Sequence, residues 1–581
     1  MLMLIRKYLI FVFAILLSIF GISAQMIDKG TPNNTNSIDY TKYFSAYVLR
    51  QGYSDNTPKE WLRQHNAPFL KIGTIVPNGG GLRTMTSKTL NRNNDDDLWD
   101  VFEESPYQGY TPMQYMRYCW CQLEDNNGSY LFDETLDPVL KDCIDKHQRF
   151  TIGLLINSYS IKGVFAGYTK DSDGSIRKYT VPSYIFDRMQ RSEYPMIKDN
   201  QNEKWWSANM DSPYLYSRFE AFIYALNEWL EGAVNGTSVK RRDVIFGIEE
   251  RYLGYWGEGG MSVNTLPKTN LVEKYHNLLV TTFYDKVLIA PGQLLNHLPT
   301  TQKRYSDVEK VVMHCVYNML SKGTNVAKTG LFRDSWKPFD DRYDIVSQRQ
   351  MMDDSGNLVS IMDYLTENTL KEGYTTGEFG FNVDLEKYGL SPYQHLYDSF
   401  QRMCMNGISL HNYTIYEGNL NNDYPYQFIP YGTHQQVRDV LSVTGYRIVM
   451  NTSNIVKHSD GTYLVKVLFS NIGMSPVIGN YYKIHLLVKD SQKRVIKDYM
   501  TAFDIRTVIP SEELELGAYD PSHGYVLTYI IPILPNNTKS ADLYLRIEDE
   551  KGIEYPMALS NYGRELESQG GDGSYKLGIL K

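Results

Sequence analysis

A chain of 581 residues is too long for one hydrophobic core, so two or three domains are expected. The formal charge of −8, without a basic cluster, argues against nucleic acid as a partner. Five cysteines leave at least one unpaired and none has zinc-site spacing; the eleven histidines are scattered, so neither a metal nor an organic cofactor is expected.

The first 24 residues carry Arg6 and Lys7, an apolar run to about Phe20, and Ile22-Ser23-Ala24 before Gln25. This is the three-part plan of a signal peptide, and the run is short for a membrane span. A secreted or periplasmic protein is expected, with no stable membrane insertion once the signal is removed. Residues 25–66 form an N-terminal extension, polar and rich in Asn and Thr as far as residue 42, which reads as a tether.

From residue 67 to 440, apolar strand segments alternate with helical stripes, the signature of a parallel sheet covered on both faces. Strands are expected at residues 68–76, 114–122, 150–156, 244 onward to Glu258, 286–290, 326–332, up to Glu378, and 407–413. Between the third and fourth lies a long polar and aromatic insertion, residues 157–211, with Trp205 and Trp206. Eight strands of this kind predict a (β/α)8 TIM barrel of α/β class. From residue 441 the texture changes to period two with turn clusters, which predicts a C-terminal all-β sandwich to residue 581.

Glu258 stands after Trp256 and between glycines, and Glu378 repeats the pattern of a short strand with Gly-Glu at its end. In such a barrel the strand C-termini build the site, so two carboxyls are expected to meet over its mouth. Paired carboxyls are what glycosidic bond cleavage requires. Glu249 and Glu250 lie in the same strand as alternatives by register. Other strand ends offer substrate-binding groups: Arg117 and Trp120, Asn157, Trp256, Gln293, Arg333, Asp334 and Trp336, and His411 and Asn412. The 47 tyrosines and 8 tryptophans supply rings that suit sugar faces, and core packing equally.

Glutamates closing strands four and seven resemble the clan of retaining glycoside hydrolases that place the acid/base on strand four and the nucleophile on strand seven. Gly-Tyr-Trp-Gly-Glu ending at Glu258, with Asn471-Ile-Gly473, Leu545-Arg-Ile-Glu-Asp549, Ala558-Leu-Ser-Asn561 and Tyr575-Lys-Leu-Gly578, also resembles a family of secreted bacterial proteins of largely unknown function, with a glycosidase-like barrel followed by a β-sandwich. The resemblance implies that Glu258 protonates the leaving oxygen and Glu378 attacks the anomeric carbon. One departure is Gly257, where most of the clan carries an asparagine for the sugar 2-hydroxyl. The expected function is a retaining glycoside hydrolase acting on a carbohydrate; the alternative is a non-catalytic carbohydrate-binding or structural exported protein on the same scaffold. Oligomeric state leaves no mark in the sequence.

Overall fold

A computed structural model describes most of residues 113–379 and 445–581, together with the short strands Ile38–Asp39, Gly81–Met85 and Met405–Ser409. The expected signal segment lies outside the described residues. Among those described, no helix is long and apolar enough to cross a membrane.

Eight parallel strands make a TIM-like barrel: β1 Gly81–Met85, β2 Met113–Cys119, β3 Arg149–Leu155, β4 Ile245–Arg251, β5 Val287–Pro291, β6 Gly330–Trp336, β7 Thr375–Phe379 and β8 Met405–Ser409. Each pairs with its sequence neighbour, and β8 returns to β1 through Gly407↔Gly81 to Ser409↔Arg83. Helices α1 Asp137–Asp145, α2 Pro213–Leu230, α3 Leu271–Thr282, α4 Asp307–Ser321 and α5 Ile361–Asn368 alternate with the strands from β2 to β7. Helix α2 starts where Ser212 accepts the Leu215 N–H and Pro213 opens the first turn. Its stripe of Leu215, Phe219, Phe222, Ile223, Leu226 and Leu230 is buried in the layer between helices and strands.

Several boundaries differ from expectation. Residues 68–76 lie outside the described residues, and Gly81–Met85, which reads as a turn followed by a polar stretch, takes the first position of the barrel. A strand there is selected by pairing with β8 and β2, which no local pattern reveals. Strand β2 stops at Cys119 and the chain turns into a short helix, Trp120–Leu123. Strand β4 ends at Arg251 rather than Glu258, because Gly254, Gly257 and Gly259 adopt φ of 76°, 68° and 86° and turn the chain away. Strand β6 runs four residues later than expected, so Arg333, Asp334 and Trp336 fall inside it. Strand β8 starts two residues earlier than expected. The region around 358–370 begins as a hairpin strand, Leu358–Ser360 against Gln350–Met352, before α5.

The 157–211 insertion is no simple loop: Gly167–Lys170, Ile176–Tyr179, Lys204–Trp206 and Met196–Lys198 form a small four-stranded sheet. The C-terminal part holds two antiparallel sheets. One joins β9 Ile448–Lys457, β10 Tyr463–Asn471 and β13 Tyr525–Ile531; the other joins β11 Tyr482–Lys489, β12 Val495–Met500, β14 Ala541–Asp549 and β15 Tyr575–Leu580. Both contribute to one apolar core, a layout consistent with a sandwich. Ile38–Asp39, in the expected tether, pairs with β9.

Inside the barrel, the lower half is apolar: Met113, Phe246, Val287, Ile289, Phe332 and Tyr374 cluster there, joined by Ile478 and Tyr481 from the C-terminal part. The two parts are also joined by charge. Arg149, buried at the start of β3, bonds Asp549 at 2.5 Å, lies 3.2 Å from Glu554, and sits 3.6 Å from the Tyr481 ring centre.

Candidate functional site

Alternation decides which β2 and β4 side chains enter the barrel. Tyr115 and Arg117 enter from β2, and Glu249 and Arg251 from β4, above the apolar floor. Arg251 donates to Glu249 from Nε at 2.9 Å and approaches it from Nη2 at 2.7 Å. The Tyr115 hydroxyl accepts from Arg117 Nε at 2.5 Å and from Arg251 Nη2 at 2.8 Å. Both guanidiniums lie over Phe332, with ring centres 3.7 Å from Arg251 and 5.3 Å from Arg117. Gly153 on β3 makes room for the two stems, since a Cβ there would stand 3.2 Å from Arg251 Cγ and 3.3 Å from Arg117 Cγ.

Glu258 completes the cluster from the turn beyond β4. Its Oε1 lies 2.7 Å from Arg117 Nη1 and 3.5 Å from Arg251 Nη1, and its Oε2 accepts from Gln293 Nε2 at 3.4 Å. The turn is fixed by its backbone. Gln293 N–H donates to the Glu258 carbonyl at 2.9 Å and Gly259 N–H to the Leu253 carbonyl at 3.0 Å. A Cβ on Gly257 would stand 2.4 Å from the Arg251 carbonyl oxygen, so no side chain, an asparagine included, fits at that position. Burial pushes the nearby His297 imidazole down from its ordinary value; its bond with the Gly259 backbone opposes this, and Arg349 adds to it.

Two guanidiniums and two carboxylates therefore lie together, with Glu258 only 2 % exposed. Glu250 faces the other way. It lies between β4 and α3, where His276 Nδ1 stands 2.8 Å away and the Tyr252 hydroxyl donates at 2.6 Å. Of the three acids considered in this region, Glu249 and Glu258 face the barrel interior and Glu250 lies in the layer behind it.

Of the residues expected at the site, Arg117 and Gln293 are brought to Glu258. Trp120 is not: its ring packs 5.7 Å from Phe219 and 5.5 Å from Phe222, and its Nε1 donates to Glu124 at 2.7 Å. Position 120 shares the parity of Met116 and Tyr118, which face the helix layer, so alternation sends it away from the barrel interior that Tyr115 and Arg117 enter. Asn157, Trp256, His411 and Asn412 lie outside the described residues. Glu378 stands in β7 in register with Ser409, and Arg333 in β6 in register with Gly377; the side chains of Glu378, Arg333, Asp334 and Trp336 lie outside the described residues. Tyr115, Gly153, Arg251 and Phe332 went unassigned in the sequence. The available signal was a pair of charged or polar residues two apart on each of two otherwise apolar strands. Among the described residues no group of His, Cys, Asp and Glu is arranged to hold a metal ion.

No protein-family model matches the chain, and no curated protein does, so the resemblance to a secreted bacterial family has no counterpart among such matches. Solved structures do resemble it. Endo-glycoceramidase II from Rhodococcus sp. aligns over 79 % of this chain and 100 % of its own, at 11 % identity and a TM-score of 0.34. A glycoside hydrolase family 30 subfamily 8 xylanase from Clostridium acetobutylicum covers 79 % and 94 %, at 9 % identity and a TM-score of 0.28. The catalytic domain of β-amylase from Paenibacillus polymyxa covers 57 % and 92 %, at 11 % identity and a TM-score of 0.31. These are distant likenesses, and it is the chain's own residues that bear on what it does.

Proposed function

We propose that the chain is an exported, carbohydrate-active protein of glycoside hydrolase type, whose substrate meets the C-terminal mouth of the barrel and whose Glu258 acts as an ionised carboxylate. One observation carries this reading. The barrel interior changes from an apolar floor to a cluster of Arg117, Arg251, Glu249 and Glu258 at the ends of its strands. Buried charge is costly to a fold, and its concentration at the strand C-termini of a barrel is where such folds carry chemistry.

A retaining mechanism needs one ionised carboxyl to attack the anomeric carbon and one protonated carboxyl to release the leaving oxygen. The arginines around Glu258 suit it to the first task. Proton donation then falls to a second carboxyl, for which Glu378 on β7 is the candidate, the reverse of the order that the clan resemblance implies. Gln293, on the other side of Glu258, is placed to hold a sugar hydroxyl once substrate displaces its 3.4 Å bond.

A broad panel of oligosaccharides, tested against the unaltered chain and its Glu258→Gln and Glu378→Gln variants, checks the assignment. Cleavage by the unaltered chain and its loss in both variants supports it; cleavage that survives both changes removes it. The near-complete burial of Glu258 favours a second reading, a carbohydrate-binding protein without catalysis. Calorimetric binding of a sugar that is never cleaved would select that one.

A further inference from the structure

The two C-terminal sheets have four flanks between them, and three are guarded. Strand β9 takes Ile38–Asp39 as a neighbour, β15 lies beside β9 with its Leu577 carbonyl accepting from Ser453 Oγ at 3.0 Å, and β12 carries Lys497 and Asp498. Charges, bulges, prolines and covering segments are how folds keep sheet edges from joining other chains. Among the described residues the fourth flank, β13, has none of these. Its sequence, Tyr525-Val-Leu-Thr-Tyr-Ile-Ile531, holds neither charge nor proline. Its register with β10 runs unbroken from Tyr525↔Phe469 to Ile531↔Tyr463, and β10 is its one partner among the described strands.

The outward side chains of β13 are apolar as well. Across β9, β10 and β13, register forms the rows Val456, Leu464, Ile530 and Thr452, Leu468, Val526, on either side of Asn454, Lys466 and Thr528. Val526 is 52 % exposed and Ile530 56 %, while Leu527 and Ile531, on the other face, are buried in the core between the sheets. A free backbone edge selects an extended strand as its partner, and β13 is complementary to itself. Its seven residues are centred on Thr528. Antiparallel pairing of two copies about that residue sets Val526 against Ile530, Leu527 against Tyr529, Tyr525 against Ile531 and Thr528 against its own copy, so every facing pair is apolar, aromatic or two hydroxyls. We propose that β13 joins β13 of a second copy of this chain across a twofold axis, which makes one continuous sheet through both C-terminal parts. The charge in these rows, Lys466, then stands three strand spacings from its copy, about 14 Å, where physiological salt screens the repulsion. Seven residues of strand make a small interface, so dissociation in the micromolar range is expected. The proposal is independent of the carbohydrate reading.

Sedimentation equilibrium of the full chain, from about 1 µM to about 0.1 mM, tests it. A reversible dimer is expected. Val526→Lys combined with Ile530→Lys sets like charges against each other across the axis and should weaken association about tenfold or more, whereas Val526→Lys combined with Ile530→Glu sets opposite charges there and should restore it. Thr528→Cys should give a covalent dimer under mild oxidation where the unaltered chain gives none, since position 528 meets itself; this variant keeps the proposal testable if a charged one misfolds. A chain that stays monomeric throughout, a dimer that the two charge variants affect alike, or a Thr528→Cys chain that does not cross-link overturns the proposal. So does a monomer whose β13 edge takes up an unrelated extended peptide instead.

Discussion

Arg117 on β2 and Glu258 beyond β4, 141 residues apart in the chain, meet in a 2.7 Å ion pair inside the barrel. Truncating one member leaves the other charged and buried. Arg117→Ala is therefore expected to cost about 3–5 kcal/mol. Pairing it with Glu258→Gln should recover part of that loss, a coupling that urea melts of the two single variants and the double variant measure. Additive losses would mean that the pair contributes nothing as a pair.

Gly257 holds the turn that delivers Glu258, at a φ of 68° and with no space for a Cβ. Gly257→Ala should destabilise by about 1–3 kcal/mol and displace the carboxylate. If the hydrolase reading holds, activity falls more steeply than the folded fraction, which parallel melts and oligosaccharide assays will report.

Glu250 in β4 and Glu258 in the turn beyond it separate a structural role from the proposed catalytic one. The partners of Glu250, His276 and Tyr252, lie on the helix side, and all three are nearly or fully buried. Glu250→Gln should lower stability while leaving cleavage per folded molecule intact. On the hydrolase reading, Glu258→Gln removes the attacking carboxylate and should abolish most cleavage. Equal catalytic losses would place the working carboxyl elsewhere.

Glu554, at the junction of barrel and C-terminal part, makes stability depend on pH. Burial raises its carboxyl to about 7, with Arg149 pulling it down, Asp549 pushing it up, and the Tyr482 hydroxyl bond pulling it down. The folded state holds the proton more tightly than the unfolded chain. Its contribution is thus fully present below the ordinary value of 4.5 and is lost as pH rises through about 7. Thermal melts from pH 4 to 8 should show a steeper decline for the unaltered chain than for Glu554→Gln, roughly as this linkage requires. Parallel curves would exclude the group.

The alternation of apolar strands and helical stripes from residue 113 onward was legible because each element repeats its own period, and a strand or helix needs nothing else to announce itself. The same holds for β7 at Glu378 and for the change to period two in the C-terminal part. Where each strand stops was not legible. Arg333 lies three residues before the end of β6 and Glu258 seven residues beyond the end of β4, so what each could reach depended on strand limits that only pairing sets.

By itself, the sequence determined the layers of this protein, since burial of a face is written into the spacing of apolar residues. Only the tertiary structure decided which charged side chains share a site. Arg117, Glu249, Arg251 and Glu258 come together because parallel strands align Arg117 with Gly153 and Gly153 with Glu249, and because three left-handed glycines turn the chain back over the barrel. Such pairing acts between segments far apart in the chain and leaves no local pattern to read.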